Sequence, residues 1–552
     1  MSELMSSEFE KQQLHKTIWG IANDLRGAVD GWDFKAYVLG MMAYRYLSEH
    51  FAGSLNKTDR DAGGVEFDYA KLSDAEAEAD LGPDGRAELI DTMGYVLLPS
   101  LLFENVEARC DTDVDLNTTL KNAFREIEHS SEGTKAFDMF DGLFSDLDLN
   151  SNKLGATTDV RNQRLRKILH AVAGMKLGNY METRVLDYSA NANDMFGDAY
   201  EYLMAMYASN AGKSGGEFYT PQEVAELLAL IVTENGTRDV KRCYDPTCGS
   251  GGLLLKFVKV LGHMCEQFCG QEINITTYNL CRINMLLHGM NYSNLTLCCG
   301  DTLMSPDERL DEWRPFDAIV SNPPYSVKWA GDGDTRLVND VRFAGPGKLA
   351  PKSRADLAFV MHSLHWLDEK GIAAIVCFPG VLYRTGAEAK IRAWLVEQGH
   401  IDAVIQLPEK LFFGAGIATS ILVMKKGLSD GKTLFIDASA EFVSGTNQNK
   451  LSDENIQKIV KALLARQDID HFCKLADKDA IRENEYNLSV SMYVEKKDTR
   501  EKIDIDVLNA RIADTVQRES VLRGEIDQIV AMLEAGRRGQ IGSGDGVDGG
   551  NV

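Results

Sequence analysis

The sequence predicts an α/β protein: a largely parallel sheet, an all-helical region ahead of it and a helical extension behind it. Three patterns carry that prediction. From about residue 240, short apolar runs alternate with segments of helical periodicity, the signature of a sheet covered by helices on both faces. Before that point only helical patterning occurs. After 480 the chain returns to helix. At 44% hydrophobic and 26% charged residues the composition suits folded domains. The length of 552 residues fits three or four of them at about 150 residues each.

The helical region spans 1–185. Phe34, Tyr37, Val38, Met41, Arg45 and Leu47 follow Gly31 at helical spacing, and helical patterning recurs over 116–128 and 161–175. Residues 56–87 are acidic, with Gly63-Gly64 and Gly82-Pro83 as breakers, so they read as a loop. Nothing here carries chemistry, which leaves docking and packing.

The α/β region spans 186–478. Its strands are expected at Cys243-Tyr244, Phe268–Gln271, Leu295–Cys298, Phe316–Ser321, Ile372–Phe378, Ile401–Gln406 and Ser420–Met424. Helices are expected over 253–264, 275–288, 355–368 and 387–398. The pair 401–406 and 417–425 has no long helix between its members and reads as an antiparallel edge. Ligands of such sheets sit at the carboxyl ends of the strands.

The helical extension spans 479–536. Leu508, Ile512, Thr515, Glu519, Leu522, Ile526, Ile529 and Leu533 step by four and three, a narrow seam suited to a partner helix. The Gly-rich tail, 537–552, reads as disordered.

The net charge of −24 argues against a chain that grips nucleic acid over its whole surface. DNA work would need a local patch or a basic partner. One patch is Arg342, Lys348, Lys352 and Arg354. The ten cysteines make no pair of CxxC knuckles, so zinc is not expected and buried reduced thiols are. No apolar run approaches a membrane span and no secretory signal opens the chain, which points to the cytoplasm.

Three clusters carry the chemistry. Asp245-Pro-Thr-Cys-Gly249-Ser250-Gly251-Gly252 follows a short strand and opens an apolar helix. Its glycines let the backbone approach a ligand closely, and its carboxylate can pair with a cationic group. Twenty residues on, Glu272 ends the next strand, an offset that suits ribose hydroxyls. Loop and acid together specify an adenosine-like ligand, and Asp301, ending a third strand, is placed for an adenine amine. The second cluster is Asn322-Pro323-Pro324-Tyr325 at the end of a strand. Two prolines fix the backbone and remove two donors, so the Pro323 carbonyl and the Asn322 side-chain oxygen form an acceptor pair spaced for a planar NH2 group. Tyr325 supplies a flat surface for an aromatic ring. In the third, Gly215-Gly216-Glu217-Phe218-Tyr219-Thr220-Pro221-Gln222, Thr220 is expected as a helix N-cap, Pro221 at the first helical position, and the aromatics as a cofactor cover.

These clusters resemble a known group. Asp245–Gly252 and Asn322–Tyr325 resemble the cofactor loop and catalytic tetrad of S-adenosylmethionine-dependent amino-methyltransferases. With Gly216–Pro221 placed first, their order is that of the gamma group of adenine-N6 DNA methyltransferases. The phrase Gly212–Pro221, the helical ends, Ile18-Trp19, Asp30–Phe34 and Tyr486–Val490 extend the resemblance over nearly the whole chain. It is similar to the modification subunit of type I restriction–modification systems. The loop departs mildly, reading Thr-Cys-Gly-Ser-Gly-Gly where Ala-Ala-Gly-Ser/Thr-Ala/Gly-Gly is common.

The resemblance implies a Rossmann-like seven-stranded methyltransferase sheet with S-adenosyl-L-methionine as cofactor. It places Glu217, Phe218, Tyr219, Thr220, Pro221, Gln222, Ser250, Gly251, Gly252 and Glu272 at the cofactor and Asn322 and Tyr325 at the target adenine, with no metal; the residues' own chemistry adds Asp245, Gly249 and Asp301 to the cofactor set and Pro323 and Pro324 to the catalytic corner. It implies assembly of two modification subunits on one specificity subunit, joined by motor–nuclease restriction subunits, on double-stranded DNA. No target-reading domain follows the tetrad, so a separate chain is expected to read sequence. Two alternatives stay open: an amine methyltransferase acting on RNA or protein glutamine, and a non-catalytic scaffold that binds S-adenosylmethionine.

Overall fold

The computed structural model describes residues 12, 14–18, 20, 31–63, 67–177, 180–185, 195–210, 220–261, 265–412, 416–428, 430–445, 448–496 and 505–541. They fall into two units, the chain up to Glu495 and the chain from Lys496 onward. Helices of seven residues or more are numbered below.

The first unit begins with α1 (Gly31–Asp61), α2 (Asp74–Met93), α3 (Phe103–Arg109), α4 (Leu116–His129), α5 (Thr158–Ala173) and α6 (Met195–Asn210). The acidic segment 56–87 is mostly helix rather than loop. A capping box starts α2: Ser73 Oγ accepts from the Glu76 amide, and the Ser73 amide donates to Glu76 Oε2 at 2.8 Å. The Ala/Glu run behind it favours helix. The breaker acts only as a kink, because Gly82 takes a left-handed φ of 57° and the helix resumes at Pro83.

The sheet follows, with α7 (Gln222–Val232) ahead of β1 (Arg242–Asp245). Then come α8 (Gly252–Leu261), β2 (Gln267–Glu272), α9 (Ile275–Leu287), β3 (Leu295–Cys299) and β4 (Phe316–Ser321). The second half holds α10 (Asp356–Trp366), β5 (Leu367–Cys377), α11 (Ala387–Glu397), β6 (Ile401–Gln406), β7 (Ser420–Met424), β8 (Lys432–Asp437), α12 (Asp453–Ala465) and β9 (Cys473–Asp477). The strand order is β3-β2-β1-β4-β5-β7-β6-β8-β9. Among the described residues nine strands therefore replace the expected seven; β8 and β9 extend the far edge. The pair β6 and β7 is antiparallel as expected, but not an edge. β7 lies between β5 and β6, antiparallel to both, and β8 covers β6. The other pairs from β3 to β5 are parallel. The order reverses between β1 and β4, which makes that gap the switch point where ligands of open α/β sheets bind.

Three apolar clusters fill the unit. Tyr44, Phe51, Tyr95 and Phe140 of the helical region pack in one cluster with Met285 and Leu287 of α9. α7, α8 and α12 cover one face of the sheet, and α10 and α11 the other. Two buried arginines join separate segments through main-chain carbonyls. Arg45 Nη1 donates to Val172, Ala173 and Met175 at the end of α5, while its Nε pairs with Glu49 at 2.7 Å. Arg282 of α9 donates to the carbonyls of Met139 and Asp141 at 3.1 and 2.7 Å and to Asn279 Oδ1. All ten cysteines are free, and only Cys299 is exposed.

The second unit contains α13 (Ile505–Ile541), which runs past the expected boundary at 536. Leu508, Ile512, Leu522, Ile526, Ile529 and Leu533 are all exposed along it. The rest of the tail lies outside the described residues. No described helix is long and apolar enough to cross a membrane.

Arg282→Met keeps the side-chain volume but abandons buried carbonyls. It should lower the unfolding free energy by about 3 kcal/mol in urea titrations. A loss below about 0.5 kcal/mol would show that α9 and the helical region do not depend on this residue.

Candidate active site

β1 and β4 are paired in parallel, with Cys243 opposite Ala318 and Tyr244 opposite Ile319. Their carboxyl ends therefore deliver the Gly-rich loop and Asn322–Tyr325 side by side. The Thr247 and Ser321 hydroxyls close that junction at 2.7 Å. The loop is pinned on its other side too. The Cys248 amide donates to the Gln271 carbonyl, the Gly249 amide to Glu272 Oε2 at 3.1 Å, and Thr302 Oγ1 to the Pro246 carbonyl.

A cleft of about 510 Å³, open to solvent, lies against this loop. Thr220, Gln222, Asp245, Gly249, Ser250, Gly252 and Asn322 all line it, so the structure brings residues of the three sequence clusters together. Tyr200, Glu201 and Met204 of α6 and Asn284 of α9 complete the wall. No local sequence signal marks these four, because their place on the wall comes from how α6 and α9 pack. Pro221, Gly251, Glu272 and Asp301 are not among the lining residues. Both Glu272 oxygens accept main-chain amides, from Gly249 and Asn274. Asp301 Oδ1 accepts the amides of Leu303 and Met304 in its own turn. Glu217, Phe218 and Tyr219 lie outside the described residues. Thr220 is not the N-cap of α7. That position falls to Pro221, with the helix starting at Gln222, and the Thr220 hydroxyl instead accepts from Asn322 Nδ2 at 3.1 Å.

The cleft wall is rich in uncommitted acceptors. Asp245 Oδ2, Gln222 Oε1 and Asn284 Oδ1 are buried without a hydrogen-bond partner among the described residues. Asp245 is fully buried, and that burial pushes its carboxyl up to about 8 against the opposing pull of the Thr247 amide. Buried orphan acceptors are costly, and a ligand carrying ammonium or hydroxyl donors removes the cost. The open backbone at Gly252, where an added Cβ meets nothing within 4 Å, leaves room for such a ligand.

The tetrad holds its own side chains in place. Tyr325 donates its hydroxyl to Asn322 Oδ1 at 2.8 Å, and Thr220 accepts from the amide nitrogen, so the Asn322 oxygen is aimed by two partners. Tyr325 is half-buried rather than an open shelf; its ring centre lies 6.4 Å from that of Phe378. Behind it Ser326 takes a left-handed φ of 54°, and its amide donates to Asp356 Oδ1 at 3.1 Å. Asp356, missed in the sequence, thus holds the turn leaving the tetrad. The basic stretch beyond it is not a uniform surface. Arg342 is buried and donates to the Thr302 and Leu303 carbonyls, so it is withdrawn from any phosphate contact. Lys352 pairs with Asp332, and Arg354 stands 3.9 Å from Glu388.

Comparison with known proteins shows the family of the chain. The family described as N-6 DNA Methylase matches residues 191–502, and the HsdM N-terminal domain matches residues 14–172. The methylase subunit of the type I restriction enzyme MpnII of Mycoplasma pneumoniae is 44% identical over 94% of this chain and 96% of its own length. The MjaVIII methylase subunit of Methanocaldococcus jannaschii is 35% identical over 63% of this chain and 62% of its own. A crystal structure of a type I restriction–modification methyltransferase subunit from Streptococcus thermophilus superimposes with a TM-score of 0.75. It is 37% identical and covers 88% of this chain and 100% of its own.

The two adjacent glycines should separate fold from site. At Gly251 φ is +84° and an added Cβ would meet Met285 at 2.6 Å and Cys281 at 2.9 Å. Gly251→Ala should therefore cost about 1–3 kcal/mol of stability. Gly252→Ala should leave the melting temperature nearly unchanged while weakening ligand binding in the cleft. Equal melting temperatures for the two variants would contradict this division.

Proposed function

This chain belongs to the methylase subunits of type I restriction enzymes, and from that premise we propose that it transfers a methyl group from S-adenosyl-L-methionine to N6 of adenine in DNA. Family membership decides for DNA over the RNA and glutamine alternatives. The observation that carries the reading is Asn322 lining the same cleft as the Gly-rich loop. S-adenosylmethionine, when bound, supplies a methyl group on a sulfonium, already a strong electrophile. Asp245 Oδ2 and Asn284 Oδ1 would accept its ammonium and hydroxyl donors, and Thr220, Gln222, Ser250 and Gly252, which line the same cleft, would complete its site.

The chain's task is orientation. Asn322 Oδ1 and the Pro323 carbonyl take the two amine hydrogens of an adenine drawn out of the duplex, so its lone pair points toward the cleft. Extrusion costs a few kcal/mol, and stacking on Tyr325 returns roughly 1–3 kcal/mol. Positioning of this kind supplies most of the rate when the electrophile is already reactive. The acidic chain is suited to leaving sequence reading to a separate specificity subunit. The exposed apolar stripe of α13 is the surface offered to that subunit's helices, in an assembly of two copies of this chain per specificity subunit, with restriction subunits added for cleavage.

Asn322→Ala should lower methyl transfer by about 10²–10³-fold while cofactor affinity stays within a few-fold; equal loss of both would overturn the assignment of roles. The raised Asp245 carboxyl has a definite sign of effect. Below about 8 it carries a proton in the ligand-free protein, whereas a cationic ligand requires the carboxylate. Calorimetric affinity should therefore fall about tenfold per pH unit below 7, and Asp245→Asn should flatten the profile. Deleting 500–535 should abolish co-purification with the specificity subunit while leaving cofactor binding intact.

A further inference from the structure

Away from the cleft, the end of α3 and the last turn of α5 gather four ligand-type side chains. Cys110 Sγ lies 3.6 Å from His170 Nε2, across 60 residues of chain, and Asp111 Oδ1 lies 3.1 Å from the same nitrogen. One ligand atom from each of the three falls within 4.8 Å of the others. Tetrahedral coordination, with bonds of roughly 2.3 Å to sulfur and 2.0–2.1 Å to nitrogen or oxygen, sets such atoms about 3.6 Å (S to N) and about 3.3 Å (N to O) apart. The observed spacings match that geometry closely.

A second observation is independent of those three atoms. The other ring nitrogen, His170 Nδ1, meets Glu107 Oε1 at 2.7 Å. A carboxylate behind a ligating histidine fixes the ring's orientation and decides which nitrogen faces the ion. Exposure is graded to suit an ion arriving from solvent: Cys110 is fully buried, whereas the His170 and Asp111 side chains are 44% and 75% exposed.

We infer that Cys110, Asp111 and His170 form a site for a divalent cation of the zinc class, with Glu107 orienting the histidine and a water completing the shell. A thiolate, an imidazole and one carboxylate select zinc or cobalt over calcium or magnesium, which prefer oxygen ligands. The site ties the end of α3 to α5.

The test uses the untagged full chain, dialysed against chelator and then against zinc or cobalt. One ion should bind per chain, and cobalt should give a thiolate charge-transfer band with tetrahedral visible bands. Cys110→Ser should remove the charge-transfer band. Glu107→Gln should weaken affinity about ten- to hundredfold with unchanged circular dichroism. Asp111→Asn, at an exposed position, should weaken it at least about tenfold. Failure to bind either metal would overturn the site, as would a thiolate band that survives in Cys110→Ser. Should Cys110→Ser fail to fold, unchanged affinity in both Asp111→Asn and Glu107→Gln would overturn it equally.

Discussion

The parallel pairing of β1 with β4 is the constraint on which the rest of the molecule depends. It places two loops about 70 residues apart side by side at the carboxyl end of the sheet's strands, and both ends of the pair are fastened. At the amino end, Asp317 Oδ2 accepts the amides of Lys241 and Arg242. At the carboxyl end the Thr247 and Ser321 hydroxyls meet. Were the register to slip by one residue, every side chain of the strand would change face. Asp245 would leave the cleft, and Asn322 would no longer stand beside the glycines. The helices on both faces act chiefly by keeping that pair buried and dry.

A second theme is the satisfaction of polar groups. The tetrad has no loose side chain: the Asn322 amide is held at both ends, and the turn behind Tyr325 is secured by Asp356. The cleft wall, by contrast, keeps one acceptor each of Asp245, Gln222 and Asn284 without a partner among the described residues. Rigidity sits at the Asn-Pro-Pro-Tyr corner, and unmet polarity sits along the cleft wall.

Much of this was legible in the sequence wherever the signal was local. The strands Phe316–Ser321, Ile401–Gln406 and Ser420–Met424 are short, mostly apolar segments, and the structure gives those same limits. The Gly-rich loop and Asn-Pro-Pro-Tyr announce themselves through residue types with few other uses. Signals set by packing were not legible. The insertion of β7 between β5 and β6 depends on pairing, not composition. The helix over 74–93 was hidden because acidity and a Gly-Pro step outweighed its capping box to the eye, although not in the fold. Arg342 reads as surface charge, yet folds inward to meet the Thr302 and Leu303 carbonyls. Tyr200 and Glu201 reach the cleft only because α6 packs beside it.

The long helix α13 has a consequence for handling and for the cell. Water meets its leucine and isoleucine stripe along several turns, an arrangement that favours concentration-dependent self-association of any copy lacking a partner. Balanced production of the subunits is then a matter of solubility as well as stoichiometry. A surplus of this chain would be the first to precipitate or be degraded.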